Sequence, residues 1–89
     1  MSDRVWVLAN PAAGGGRGGR YGASVARILA EGGVEVRLVQ AADEAGTARA
    51  AREAVDEGAR AVIASGGDGT VHTVLQELVG SSVPLGIVA

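Results

Sequence analysis

The segment that decides the fold is residues 61–78, which read AVIASGGDGTVHTVLQEL. Its first part, residues 61–64, is a short apolar run typical of a buried strand. The glycine-rich turn at residues 66–70 follows at once. Apolar residues then recur at the spacing of a helix face, at Val71, Val74, Leu75 and Leu78. The segment therefore predicts a strand, a tight turn and an amphipathic helix that ends near Gly80.

The same alternation extends to both sides of this segment. Further strands are predicted at residues 4–9, 34–39 and 83–88. The first helix is indicated by apolar residues at helical spacing, namely Tyr21, Val25, Ile28 and Leu29. Asp43 and Glu44 open an alanine-rich second helix, which runs to about Glu57 and ends at Gly58.

This βαβαβαβ order predicts an α/β fold with three layers and a mostly parallel sheet. No linker composition interrupts the chain, so residues 1–89 are expected to form one domain. The last predicted strand runs into Ala89, where a doubly wound sheet seldom stops. We therefore expect an incomplete nucleotide-binding domain, truncated at its carboxyl terminus.

Composition excludes several classes of protein. The absence of cysteine excludes a disulfide framework and a thiolate zinc site. A net charge of −2 argues against nucleic-acid binding, and no apolar run is long enough to span a bilayer. The eight basic residues are all arginine, which removes the Walker-type phosphate loop and its lysine. The start of the chain lacks a signal-peptide layout, so a cytoplasmic protein is expected.

The turn at residues 66–70 has the chemistry of a phosphate-binding loop. A helix that begins near Gly69 or Thr70 leaves amides without intrahelical partners, and its dipole favours negative charge there. The three glycines of the turn lack the Cβ atoms that would keep a phosphate away, and Thr70 adds a hydroxyl donor. Asp68 would repel phosphate unless a cation lay between them, which indicates a magnesium-bound nucleotide. The alternative is a simple tight turn in which Asp68 caps the helix.

A second glycine-rich turn follows the first predicted strand. Pro11 favours an extended Asn10, which would direct the Asn10 side-chain amide at a nucleotide. Arg17 or Arg20 could bind phosphates through the guanidinium fork; the alternative is a surface loop with solvated arginines. Parallel strands place both turns at the same end of the sheet, so the two are expected to form one site.

The glycines of this second turn also fit the dinucleotide fingerprint GxGxxG, with Gly14, Gly16 and Gly19. That fingerprint needs an acidic residue at the end of the second strand, where Gln40 stands instead. Dinucleotide binding is therefore the second hypothesis.

The remaining titratable residues give weaker signals. His72 is expected on the polar side of the third helix, where a general-base role competes with plain exposure to solvent. No cluster of histidines and carboxylates predicts a metal site formed by side chains alone. Four glutamates are expected on solvated faces: Glu31, Glu35, Glu53 and Glu57.

The two turns resemble the motifs of the diacylglycerol kinase catalytic domain family, which includes sphingosine, ceramide and bacterial lipid kinases. Residues 10–14 resemble that family's Asn-Pro-x-Ser/Ala-Gly motif. Residues 66–70 resemble its GGDGT motif, which NAD kinases and phosphofructokinases share more widely. The order and spacing of the motifs agree, and the resemblance covers essentially the whole chain.

The resemblance implies an ATP-binding segment of a lipid kinase, which transfers the γ-phosphate of ATP to a diacylglycerol-like hydroxyl with Mg²⁺ in phospholipid biosynthesis. Asp68 is the catalytic candidate. The residues expected at the nucleotide are Asn10, Pro11, Ala12, Ala13, Gly14, Gly66, Gly67, Asp68, Gly69, Thr70, Val71, His72 and Thr73.

The resemblance also implies partners outside this chain. The lipid would be bound by a missing carboxyl-terminal domain, so the isolated chain is expected to be inactive. Peripheral contact of the full-length protein with the inner membrane face, and a homodimer, are compatible with the family. The chain departs from the family pattern at His72 and Thr73, which replace Asn and Glu, and at Gln40 or Ala41, which replace an ATP-contacting threonine.

Two hypotheses compete with the lipid kinase. One is an NAD-kinase-like or dinucleotide-dependent enzyme, which would prefer NAD to ATP with magnesium. The other is a non-enzymatic nucleotide-sensing module that shares the turn.

Overall fold

The computed structural model describes residues 2–12 and 17–88. Strands and helices alternate in the order β1 (Val5–Ala9), α1 (Arg17–Glu31), β2 (Val36–Gln40), α2 (Glu44–Glu57), β3 (Ala61–Ser65), α3 (Asp68–Leu78) and β4 (Leu85–Val88). The described strands form one parallel sheet in the order β2-β1-β3-β4. The predicted α/β fold and parallel sheet are confirmed, although β2 and β4 begin slightly later than predicted.

One face of the sheet packs against α2 and α3. Trp6 and Leu8 of β1 lie on this face beside Val62 and Ala64 of β3, and all of them are buried. α2 meets them with its alanines, Ala50, Ala51 and Ala54. α3 meets them with Val74 and Leu78. Burial of this apolar surface is the main contribution to the stability of the fold.

The opposite face packs against α1 through small residues. The buried residues of α1 are Gly18, Gly19, Gly22 and Ala26. A Cβ atom on Gly22 would lie 2.6 Å from the Cβ of Ala9, so only glycine lets the helix backbone come this close to β1. Tyr21 and Ile28 are 45% and 63% exposed. Apolar spacing therefore located α1 correctly but did not identify its buried face.

The ends of α2 follow the predicted signals. The Asp43 carboxylate accepts a hydrogen bond from the Gly46 amide at 2.8 Å, which caps the start of the helix. Gly58 has a φ of 72°, and its amide donates to the last turn. Glycine adopts this left-handed conformation without a Cβ penalty, so it ends the helix here.

Four side chains form an amino-end cluster at the beginning of β1, namely Arg4, Trp6, Arg37 and Glu57. Trp6 Nε1 donates to Glu57 Oε2 at 2.7 Å, and Arg4 Nε donates to the same oxygen at 3.2 Å. The guanidinium carbons of Arg4 and Arg37 lie 5.4 and 5.0 Å from the centroid of the Trp6 ring. This distance is typical of cation–π contacts.

The expectation that Glu57 is solvated is wrong. The hydrogen bonds from Arg4 and then from Trp6 lower the pKa of the Glu57 carboxyl to about 2. Because Glu57 is the last residue of α2 and Arg4 precedes β1, these bonds join two elements that are far apart in sequence. None of the helices in the described part of the chain is both long and apolar enough to cross a membrane.

Candidate functional site

The strand order creates a crevice between the carboxyl ends of β1 and β3. The chain passes from β1 to β2 on one side of β1 and then returns to β3 on the other side. In open α/β sheets, ligands bind at such a switch point. Asn10 follows β1 and Gly66 follows β3. The backbone N–H of Asn10 donates to the backbone carbonyl of Ser65 at 3.2 Å. The fold thus brings the two glycine-rich turns together.

The start of α3 presents backbone donors at this crevice. The helix begins at Asp68, and its N-cap is Gly67, whose backbone is extended and supplies no capping side chain. Asp68 is therefore the first helical residue and not the cap. Among residues 2–12 and 17–88, no protein acceptor bonds the amides of Gly67, Asp68, Gly69 and Thr70. These amides, together with the positive end of the helix dipole, suit an anion.

The glycines of the turn serve two different purposes. Cβ atoms on Gly67 or Gly69 would meet nothing within 4 Å, so the space above the amides is open. A Cβ atom on Gly66 would lie 2.8 Å from Thr70 Oγ1 and 3.0 Å from Thr70 Cβ. Gly66 therefore keeps the turn close to the helix, whereas the other two leave room for a ligand.

A cleft of about 190 Å³ lies over these amides. Its lining comprises Asn10, Glu44, Thr47, Gly67, Gly69, Thr70 and Thr73. Pockets for whole small molecules usually measure about 300–1,000 Å³. The cleft therefore fits part of a nucleotide, such as its phosphates, with the remainder outside it.

Asn10 is held in place by its own turn. The Ala12 amide donates to Asn10 Oδ1 at 2.9 Å. This bond identifies the oxygen end of the side-chain amide, so the NH₂ end is the one available to an anion. Pro11 packs against α1, because a Cβ atom on Gly19 would lie 3.0 Å from the Cα of Pro11.

One carboxylate lines the cleft and a second is adjacent in sequence to lining residues. Glu44 lines it from the first turn of α2, whereas Asp68 is not a lining residue, although its neighbours Gly67 and Gly69 are. Asp68 is exposed, and its carboxylate makes no hydrogen bond or ion pair with the described residues. In that part of the chain no group of three or more histidine, cysteine or carboxylate side chains could hold a metal ion. A cation here would need ligands from a bound molecule or water, as Mg²⁺ commonly has.

The remaining predicted residues lie in different surroundings. Val71 is partly buried against the core, and His72 is exposed and outside the cleft lining. Thr73 Oγ1 donates to the Gly69 carbonyl at 2.9 Å. Arg17 and Arg20 are exposed residues of the first turn of α1. The predicted residues Ala13, Gly14 and Gly16 lie outside the described residues.

Sequence reasoning missed three residues of this region: Glu44, Thr47 and Ser65. Glu44 and Thr47 reach the cleft because α2 crosses from β2 over β1 to β3, so its first turn lies beside that of α3. The order of elements predicts that helices begin at this edge of the sheet, but not which helices are neighbours. Ser65 carried a clearer signal, since a hydroxyl at the end of a buried apolar strand needs a partner.

A parallel sheet with a switch point, where helix amides have no acceptor among the described residues, is consistent with the α/β class of partial nucleotide-binding folds. Within this class, residues 4–89 match the model of the diacylglycerol kinase catalytic domain, and the chain belongs to that family. It is also similar to proteins named diacylglycerol kinase from two strains of Mycobacterium tuberculosis, CDC 1551 / Oshkosh and ATCC 25618 / H37Rv. Each is 34% identical over 85 residues, which cover 96% of this chain and 28% of the relative.

Proposed function

We propose that this chain is the ATP-binding segment of a lipid kinase, which transfers the γ-phosphate of ATP to the hydroxyl of a diacylglycerol-like lipid. Membership of the kinase family and the names of the two relatives support this proposal. The chain spans only 28% of the length of those relatives, so the transfer reaction is assigned to a longer protein. The 89-residue chain binds nucleotide but is inactive by itself.

The observation that carries the proposal is the set of unbonded amides at the start of α3. Three of the residues that carry them, Gly67, Gly69 and Thr70, line an open cleft at the switch point, and Asn10 lines the same cleft. Backbone and amide donors of this kind bind phosphate oxygens without steric obstruction from a Cβ atom. The amides of residues 67–70 would hold the phosphates, and Thr70 and Asn10 would add side-chain donors.

The carboxylates support magnesium-bound ATP over free phosphate. Glu44 and Asp68 would repel an uncompensated polyphosphate. A phosphate-bound Mg²⁺ ion would instead take a carboxylate oxygen as a ligand, or its bound waters would donate hydrogen bonds to that oxygen. When bound, Mg-ATP supplies the transferred phosphoryl group and neutralises part of its charge. The role assigned to Asp68 is to fix that ion, which makes it the catalytic candidate in the longer protein.

The test is a calorimetric titration of the 89-residue chain with ATP in the presence and absence of Mg²⁺. Wild type is expected to bind Mg-ATP more tightly than ATP alone and more tightly than NAD. Asp68→Asn keeps the shape of the side chain but removes its charge, and it should weaken Mg-ATP binding about tenfold. Its thermal unfolding should stay within about 2 °C of wild type, because Asp68 is exposed.

Asp56→Asn is the matched control. Asp56 is an exposed aspartate at the other end of α2, away from the cleft, so its loss should leave the affinity unchanged. Equal binding of ATP with and without Mg²⁺, or equal affinity in Asp68→Asn and wild type, would contradict the role of Asp68. A preference for NAD would support the dinucleotide alternative, and phosphorylation of diacylglycerol by the chain itself would refute its inactivity.

The longer protein is proposed to act on the cytoplasmic side of the membrane, which it would contact peripherally to reach its lipid. Its substrate class can be tested by adding Mg-ATP and diacylglycerol in mixed micelles. Formation of phosphatidic acid is expected, and its absence while a sphingoid base is phosphorylated would change the lipid assignment.

A further inference from the structure

We infer that Ser65 is a positioning residue: it fixes Asn10 and the first turn of α1 relative to the turn at residues 66–70. This inference rests on the proposed binding of Mg-ATP. Ser65 is the last residue of β3 and immediately precedes Gly66, where the turn into α3 begins. It does not line the cleft, and it is fully buried. Any effect that it has on a bound nucleotide must therefore pass through the residues that it contacts.

Ser65 is bonded both to the residue that follows β1 and to the first turn of α1. Directly after β1, the backbone amide of Asn10 donates to the Ser65 carbonyl at 3.2 Å. At the start of α1, the carbonyl of Gly18 accepts a hydrogen bond from Ser65 Oγ at 2.9 Å. Asn10 and the first turn of α1 are thus both bonded to the strand that leads into the other turn.

The hydrogen bond from Ser65 Oγ to the Gly18 carbonyl is shielded from water. Ser65 is 0% exposed, so water does not compete for the hydroxyl. Gly22 allows α1 to approach this position, because a Cβ atom there would lie 3.5 Å from Ser65 Cβ and 2.6 Å from Ala9 Cβ. A buried hydroxyl costs stability unless it is bonded, and this bond accounts for a polar residue at the end of an apolar strand.

Gln40 makes a weaker contact with the same turn of α1. Its Nε2 donates to the Gly19 carbonyl at 3.4 Å, and its side chain is exposed. Gln40 and Ser65 are the register partners of Ala9 on the two neighbouring strands. Gln40 is at the end of β2, which leads into neither glycine-rich turn. Removing its side chain therefore takes one contact away from the first turn of α1 but leaves the link between that turn and Ser65 intact.

The experiment compares wild type with Ser65→Ala, Gln40→Ala and Val62→Ala. Each protein is titrated with Mg-ATP by calorimetry, unfolded in urea, and followed by amide hydrogen exchange. Ser65→Ala is expected to raise the Kd for Mg-ATP about fivefold, the typical effect of one lost hydrogen bond. Exchange at the Gly22 amide, whose acceptor in an α-helix is the Gly18 carbonyl, should accelerate about as much.

Val62→Ala separates positioning from stability. Val62 is a fully buried neighbour in β3 and has no contact with the cleft, so its truncation should lower the urea midpoint more than Ser65→Ala and leave the Kd within twofold. Gln40→Ala should also leave the Kd within twofold. If wild type binds Mg-ATP and Ser65→Ala binds it equally well, the inference about Ser65 is overturned and the proposed function stands. If wild type does not bind Mg-ATP, both are overturned.

Discussion

The two ends of the parallel sheet are built in opposite ways. At the amino end, large side chains fill the space, and Trp6 is enclosed by Arg4, Arg37 and Glu57. At the carboxyl end there are glycines and an open cleft, and the backbone amides at the start of α3 have no acceptor within residues 2–12 and 17–88. The difference teaches that large side chains pack together at one end of the strands, whereas the other end keeps open space beside backbone donors. Substitutions at the two ends should therefore have separable effects.

The largest effect is expected from Trp6→Ala. Trp6 is 3% exposed and belongs to the main core, so its truncation should lower the free energy of unfolding by about 3–5 kcal/mol. Urea denaturation followed by circular dichroism measures this change. Trp6→Phe keeps most of the ring and should cost much less. A loss below about 1 kcal/mol in Trp6→Ala would show that the amino end does not dominate stability.

An intermediate effect is expected from Gly66→Ala at the other end. The new Cβ atom would collide with Thr70, so the turn or the helix must shift. Overpacking of this kind should cost about 1–3 kcal/mol of stability. Misplacement of the amides should also weaken Mg-ATP binding about tenfold, measured by calorimetry.

Gly67→Ala is the matched control for that change. Its Cβ atom would meet nothing in the protein, so the urea midpoint should remain that of wild type. Its Mg-ATP affinity should nevertheless fall, because the added methyl group occupies the space proposed for phosphate. Unchanged affinity in Gly67→Ala would contradict the location of the phosphates, even if Gly66→Ala behaves as expected.

The smallest effect is expected from Glu57→Gln, and it depends on pH. The native pKa of Glu57 is about 2 against an ordinary value of 4.5, so its charge stabilises the fold above about pH 4.5. That contribution is lost as the pH falls from about 4.5 to about 2. Wild type should therefore have a higher urea midpoint than Glu57→Gln at about pH 6. This difference should shrink as the pH falls towards 2.

Glu53→Gln provides the reference for this pH series, since Glu53 is an exposed glutamate on the same helix. Its pH dependence should follow that of wild type. A difference between wild type and Glu57→Gln that is independent of pH would refute the assignment of the charge effect to Glu57.

The sequence predicted those features that depend on neighbouring residues. The caps of α2 at Asp43 and Gly58, and the strand, turn and helix around Gly66, follow from local backbone preferences. The fold class followed from the order of these elements. The juxtaposition of the two turns also followed, because parallel strands place successive turns at one edge.

Features that depend on distant residues were not readable. Glu57 is 51 residues from Trp6, and nothing near Glu57 in the sequence distinguishes it from the solvated Glu53. Glycine has a low helix propensity, so the glycines of α1 argue against a helix in the sequence. The structure shows why glycine is needed: Ala9 lies so close to Gly22 that a Cβ atom would not fit. Glu44 reaches the cleft only because α2 crosses the sheet. The assignment of individual residues to ATP and Mg²⁺ stays a prediction.

The amino-end cluster also gives the molecule a built-in optical probe. Trp6 is the only tryptophan of the chain, and it lies in β1 four residues before Asn10, which directly follows that strand; extended backbone of this length spans about 13 Å. The indole is therefore not part of the cleft lining. Fluorescence emission from Trp6 should change when the protein unfolds and when Glu57 is protonated.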